Sequence, residues 1–297
     1  MTLVQNTDDT THMTATRPPL LDVRGLSVTL PTGPSDSVHA VKDVRLTLAV
    51  GERVGIVGES GSGKSVTGRA IAGLLPGSPR VKVDGSIRFD GTEMIGAPPR
   101  TWDAIRRSRV SMIFQDPLSF LNPTMRVGRQ IREGCRRIVG EPRGGTEKVY
   151  HYMTLAGLND VETVARKYPF ELSGGMRQRV LIAIALAKQP EIIIADEPTT
   201  ALDVTVQRLV LETLDRSVSE LGTSLIMITH DLAVVAKLCE RVYVMYAGRV
   251  VEHGLTKDVF TNPAEDYTRG LLRSVRSLTD DSDDLVGLSS PTTGRIG

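Results

Sequence analysis

The stretch Gly58-Glu59-Ser60-Gly61-Ser62-Gly63-Lys64-Ser65 constrains this chain more than any other. It follows an unalternating apolar run, Val54-Gly55-Ile56-Val57, and precedes a segment of helical character, Val66 to Leu75. A strand without alternation is buried on both faces, which implies a parallel sheet covered by helices. Strand, glycine-rich turn and helix opening on Lys-Ser is the P-loop arrangement. Its glycines let backbone N–H groups curl around a phosphate, and the helix N-terminus adds partial positive charge. Lys64 is placed to reach the β- and γ-phosphates, and the Ser65 hydroxyl to ligate Mg²⁺. The expected ligand of Gly58, Glu59, Ser60, Gly61, Ser62, Gly63, Lys64 and Ser65 is therefore a nucleoside triphosphate with Mg²⁺.

A second element is Ile192-Ile193-Ile194-Ala195-Asp196-Glu197, an apolar strand with two carboxylates at its C-terminal end, where open α/β sheets bind ligands. An acidic pair after a strand is by itself the ordinary mark of a helix cap. In one chain with a P-loop it reads differently: Asp196 holds the metal through water, and Glu197 takes a proton from the attacking water as general base.

Short strand-like runs, Leu21 to Val23, Leu26 to Leu30, Val44 to Leu48 and Ser86 to Phe89, surround the P-loop strand and are separated by Gly, Pro and Asp turns. From about Trp102 to Val180 the chain turns helical and Arg-rich, with a Gly/Pro break at Gly140 to Gly145, before a further βα alternation at Leu225 to Ile228. The expected fold is an α/β P-loop NTPase core with a mostly parallel sheet, an antiparallel β subdomain and an inserted α-helical subdomain at about 116–178. The core domain is expected over 20–275, between disordered tails at 1–19 and 276–297, and Met13 is an alternative start.

With 40% hydrophobic residues in 297, the chain can bury a large core. Lys and Arg total 36 against 35 Asp and Glu, a net charge of +1, so no global field draws it to nucleic acid. Its longest apolar run, Val180 to Ala187, is far short of the roughly 18 residues that span a bilayer. Cys135 and Cys239 match neither a redox nor a metal-ligand motif and are expected as reduced thiols of a cytosolic protein.

Leu172-Ser173-Gly174-Gly175-Met176-Arg177-Gln178-Arg179 resembles the signature sequence of ABC ATPases. The order of elements is similar too: P-loop, Gln115, signature, Asp196-Glu197, Ala201-Leu202-Asp203 and His230. The resemblance spans about Leu20 to Arg273. It implies that Ser173, Gly174 and Gly175, at a helix N-terminus, bind the phosphates of ATP held by a facing ATPase subunit, in a head-to-tail dimer. It further implies that Gln115 senses Mg²⁺ and the attacking water, that Asp203 lies at the dimer seam, and that His230 contacts the γ-phosphate and orients Glu197.

Ile113 to Pro123, the Met176 variant of the signature, Asp203-Val204-Thr205-Val206-Gln207, and Asn262-Pro263 with Tyr267-Thr268-Arg269 resemble the dipeptide/oligopeptide/nickel importer ATPases. That subfamily implies a peripheral subunit at the cytoplasmic face of the membrane. Its partners would be a second ATPase chain (the same, or preferably a related one), two permeases docking near Gln115 to Gln130, and an extracytoplasmic solute-binding protein. The alternative is an ATPase of an export or lipoprotein-release complex. Many relatives carry a cysteine-bearing C-terminal extension, some with an iron–sulfur cluster; with no cysteine after Cys239, no cluster is expected. Where an aromatic residue commonly stacks on adenine ahead of the P-loop, Ser37-Val38-His39-Ala40-Val41 offers only His39.

Overall fold

The computed structural model describes residues 18–135, 145–200 and 202–279. The expected tails, Met13, the Gly140 to Gly145 break and Ala201 lie wholly or partly outside these residues.

The P-loop strand is buried as its sequence requires and becomes β3 (Arg53–Val57). It lies inside a six-stranded sheet made with β6 (Val110–Ile113), β7 (Ile192–Asp196), β8 (Ser224–Thr229), β9 (Arg241–Tyr246) and β10 (Arg249–Leu255), in the order β10-β9-β3-β8-β7-β6. From β9 to β6 every neighbouring pair is parallel, and β10 returns antiparallel on the edge. Successive residues of β3, β7 and β8 serve opposite cores. Val54, Ile56, Ile192, Ile194, Ile226 and Ile228 face one, and Val57, Ile193, Ala195, Leu225 and Met227 face the other. Two buried faces explain the missing polar alternation.

One face is covered by a four-stranded antiparallel sheet of β1 (Leu21–Pro31), β2 (Ser37–Leu48), β4 (Lys82–Phe89) and β5 (Thr92–Glu93), in the order β2-β1-β4-β5, and by α1 (Lys64–Ile71). The runs at Leu21 and Leu26, expected as separate strands, are one. Its register on β2 and β4 slips around Arg24-Gly25, a β-bulge that bends the strand without ending it.

Glu93 fastens the β4–β5 turn. Its carboxylate accepts from the Ser86 hydroxyl, from the N–H groups of Ile87 (3.0 Å), Met94 (3.1 Å) and Ile95 (3.1 Å), and from Arg88 Nε (3.2 Å). Burial pushes its pKa upward, but the bonds from Ser86, Ile95, Ile87 and Arg88 outweigh burial and hold it at about 2. A carboxylate depressed in the folded state adds stability above its unfolded pKa and loses it as pH falls through the folded value. Glu93 therefore stabilises the protein above about pH 4.5, and that contribution disappears toward pH 2. The Glu93→Gln protein is expected to lose about 1 kcal/mol at pH 7, after discounting for solvent screening, and to show a flatter acid limb in urea melts between pH 4.5 and 2.

The other face carries helices. Before them, α2 (Pro99–Ser108), whose Trp102 and Ile105 pack in the core of the antiparallel sheet, leads into β6, which sits in the stretch read from sequence as helical. Pairing of Val110–Ile113 with Ile192–Ala195 makes it the sheet's edge strand, so the helical insertion starts only after Ile113. The insertion comprises α3 (Pro117–Phe120), α4 (Val127–Cys135), α5 (Thr146–Leu155), α6 (Val161–Arg166) and α7 (Gly174–Leu186). The chain continues through α8 (Val204–Leu221), α9 (Leu232–Leu238), α10 (Thr256–Thr261) and α11 (Asp266–Thr279), the last extending beyond the expected limit at 275. Both cysteines are free and buried, and burial pushes the Cys239 thiol up to about 12. Among the described residues no helix is long and apolar enough to cross a membrane.

Candidate phosphate site

Gly63 caps α1 with a φ of 99°, a left-handed conformation that suits glycine, and a Cβ there would collide with Ala40 O. The turn it makes buries Lys64, whose Nζ donates to Gly58 O and Glu59 O, both at 2.8 Å. Burial lowers the Lys64 pKa, opposed by the nearby charges of Glu197, Asp196 and Glu59. An ammonium satisfied by two carbonyls at the mouth of a loop can exchange them for phosphate oxygens.

Next to it the Ser65 hydroxyl donates to Asp196 Oδ1 at 2.7 Å. Asp196 is buried, which raises its pKa, while the Ser65 bond and the Arg69 guanidinium, 3.9 Å from Oδ2, pull it back. A hydroxyl and a buried carboxylate this close, in surroundings that penalise the lone negative charge, fit a hard divalent cation with oxygen ligands.

Glu197 follows with a φ of 46°, unusual for a side chain other than glycine, and its N–H donates to Ile228 O at 2.8 Å. Its carboxylate has a neighbour at each oxygen. Thr200 Oγ1 donates to Oε2 at 2.9 Å, and His230 Nδ1 stands 3.5 Å from Oε1. A cleft of about 220 Å³ is lined by Ser60, Gly61, Gly63, Lys64, Ser65, Gln115 and Glu197, so the P-loop, Gln115 and Glu197 from distant parts of the sequence converge.

The signature residues do not join them. Ser173 caps α7 and its Oγ accepts from Met176 N at 3.4 Å, while a Cβ on Gly175 would collide with Val206 of α8. Gly175 thus serves close packing of two helices as well as leaving the helix N-terminus open. Gly174 lines a separate cleft with Gln115, Arg177, Thr200 and Leu202. Asp203 caps α8, accepting from Val206 N at 2.9 Å, a bond of the kind worth about 1 kcal/mol.

The chain matches the ABC transporter family over residues 41–200. It belongs to the ABC transporter family. The ABC ATPase is 45% identical over 279 residues to the oligopeptide transport ATP-binding protein OppD of Salmonella typhimurium, covering 92% of this chain and 82% of the relative. It is 46% identical over 258 residues to the probable D,D-dipeptide transport ATP-binding protein DdpD of Escherichia coli, covering 86% and 78%. Among solved structures, the dimeric ATP-binding cassette MJ0796 in a post-hydrolysis state bound to ADP and Pi superposes with a TM-score of 0.70 at 28% identity, covering 80% of this chain and 98% of that one. CbiO1 of Clostridium perfringens, part of the ABC transporter complex cbiONQ, gives a TM-score of 0.68 at 29% identity, covering 88% and 99%.

Several side chains at the site of this ABC ATPase went unnoticed in the sequence. Thr200 grips Glu197, Arg69 approaches Asp196, and Gln178 donates to Phe114 O at 3.5 Å, tying the Gln115 loop to the signature helix α7. Phe114 stacks on Phe120 at 3.6 Å between ring centroids, a second tie between that loop and the helical insertion. The Arg69, Gln178 and Phe114 contacts join segments distant in sequence, whereas Thr200 reaches Glu197 across three residues of one turn. His39 is held from β1 by Thr29, whose Oγ1 is 3.1 Å from its Nδ1.

Proposed function

We propose that this chain is the ATP-hydrolysing subunit of an ABC importer that couples Mg·ATP binding and hydrolysis to uptake of di- or oligopeptides through separate membrane permeases. The observation that carries the mechanism is the separation of two anion-binding helix ends. The Lys64–Ser65 end of α1 opens into the cleft with Gln115 and Glu197, whereas the Ser173–Gly174 end of α7 lies outside it. One chain then offers half of each of two nucleotide sites, and a head-to-tail dimer with a second ATPase subunit, preferably a related chain, completes both.

ATP binds with its β- and γ-phosphates on the backbone of Gly58 to Ser65 and on Lys64. Ser65 and Asp196 would hold Mg²⁺, with Gln115 nearby, and the ion would neutralise charge developing on the phosphate oxygens. Glu197, fixed by Thr200, removes the proton from the attacking water, and His230 orients it and touches the γ-phosphate. Ser173, Gly174 and Gly175 of one subunit contact the phosphates bound by the other, and Asp203 lies at the seam. Closure around ATP moves the permeases and hydrolysis resets them.

A permease helix docks in the groove formed by Phe120, Asn122, Met125, Gln130, Ile184 and Lys188, where Phe120 is half exposed. The subunit then sits on the cytoplasmic face of the membrane, with a solute-binding protein on the opposite side. Peptide import, rather than the export or lipoprotein-release alternative, is supported by relatives named for oligopeptide and dipeptide transport.

The test is to express the chain in its native host, extract membranes in mild detergent with Mg·ATP, and identify co-purifying chains by mass spectrometry. Recovery of two multi-spanning permeases and a peptide-binding protein is expected. Recovery with only soluble factors would overturn the transport reading.

A further inference from the structure

The segment Asn262 to Arg269 has no part in the chemistry above, yet it reaches the P-loop. Glu59 N–H donates to the Tyr267 hydroxyl at 3.1 Å, across 208 residues of sequence. On the other side of the same residue, Glu59 O accepts from Lys64 Nζ at 2.8 Å and from Ser62 N–H at 3.2 Å. Glu59 is thus clamped from within the loop at its carbonyl and from α11 at its amide.

The clamp has its own support. The Tyr267 ring packs against Tyr246 at 4.4 Å between centroids, at the end of β9 and next to the turn whose Gly248 N–H donates to Ser62 O at 3.0 Å. The start of α11 is anchored on β10. Glu252 accepts from Ala264 N (2.7 Å) and Glu265 N (3.2 Å), while Arg269 Nη1 donates to Pro263 O (2.7 Å) and Ala264 O (2.9 Å).

We propose that Tyr267 is a positioning residue for nucleotide binding: its hydroxyl fixes the Glu59 peptide so that the carbonyls holding Lys64, and the amides that follow them, are set before ATP arrives. The inference rests on the phosphate-site reading of Gly58 to Ser65. A preset loop favours bound ATP before and during the reaction alike, so losing the clamp raises KM and leaves kcat in place. A residue serving only the stability of α11 would lower the melting temperature without moving KM.

Tyr267→Phe removes the hydroxyl and keeps the ring on Tyr246. KM for ATP, and Kd for ATP measured by calorimetry, are expected to rise about three- to tenfold, the range for one lost hydrogen bond. The kcat should stay within about twofold, and the melting temperature of the nucleotide-free protein should fall by no more than a few degrees. Unchanged KM and Kd, with or without a lower melting temperature, would overturn the proposal. Failure of the unmodified protein to bind ATP would instead overturn the phosphate-site reading on which it rests.

Discussion

Glu197→Gln is expected to bind Mg·ATP at least as tightly as the unmodified chain while its turnover falls by about 10²–10⁴-fold, the usual contribution of a positioned general base. The substitution is nearly isosteric, and the Gln carbonyl can still accept the Thr200 bond that now holds Oε2 at 2.9 Å. The backbone at φ 46° and the N–H bond to Ile228 O need no change. What is lost is the proton acceptor. What is gained is relief from a negative charge close to Asp196 and to the incoming phosphates. Size-exclusion chromatography with Mg·ATP should therefore show a dimer that persists, and one without nucleotide should not. Undiminished phosphate release would remove Glu197 from the base role.

Lys64→Ala should act at the opposite step. Its ammonium is buried and held by Gly58 O and Glu59 O, so it is poised rather than mobile. If Lys64 binds the phosphates as proposed, removing its charge is expected to lower kcat/KM by at least about 10²–10³-fold, with ATP affinity lost rather than only turnover. The fold should survive, because burial already disfavours the Lys64 charge and the neighbouring carboxylates compensate it only within the site. Calorimetric titration with ATP, beside a thermal melt, checks both parts. Normal affinity would show that the loop binds phosphate without its lysine.

The two variants separate the halves of the cycle, and Tyr267→Phe adds a graded version of the first. A P-loop supported by α11 and by the β9–β10 turn is not a self-sufficient motif. Its geometry belongs to the whole domain, from Ala40 against Gly63 to Tyr267 on Glu59.

Local signals carried far in this chain. Residues Gly58 to Ser65 were legible as a glycine-rich turn between strand and helix because backbone curvature and a helix N-terminus depend on neighbours in sequence, and the structure places them between β3 and α1. Asp196 and Glu197 were legible for the same reason, since a strand that is apolar throughout must deliver its last residues to one edge of the sheet. The helix N-terminus at Ser173 is likewise short-range chemistry. Tertiary structure alone decided that Val110–Ile113 is a strand, since four residues take that form by pairing with β7 and not by any pattern of their own. It alone joined Leu21 to Pro31 across a bulge, brought Arg69 and Gln178 to their partners, and kept Ser173 out of the cleft that holds Lys64. Sequence determined which residue types and local backbone turns the chain offers, because these depend on neighbours along it; packing between distant segments decided which of them meet, because contact distances are set by the whole fold.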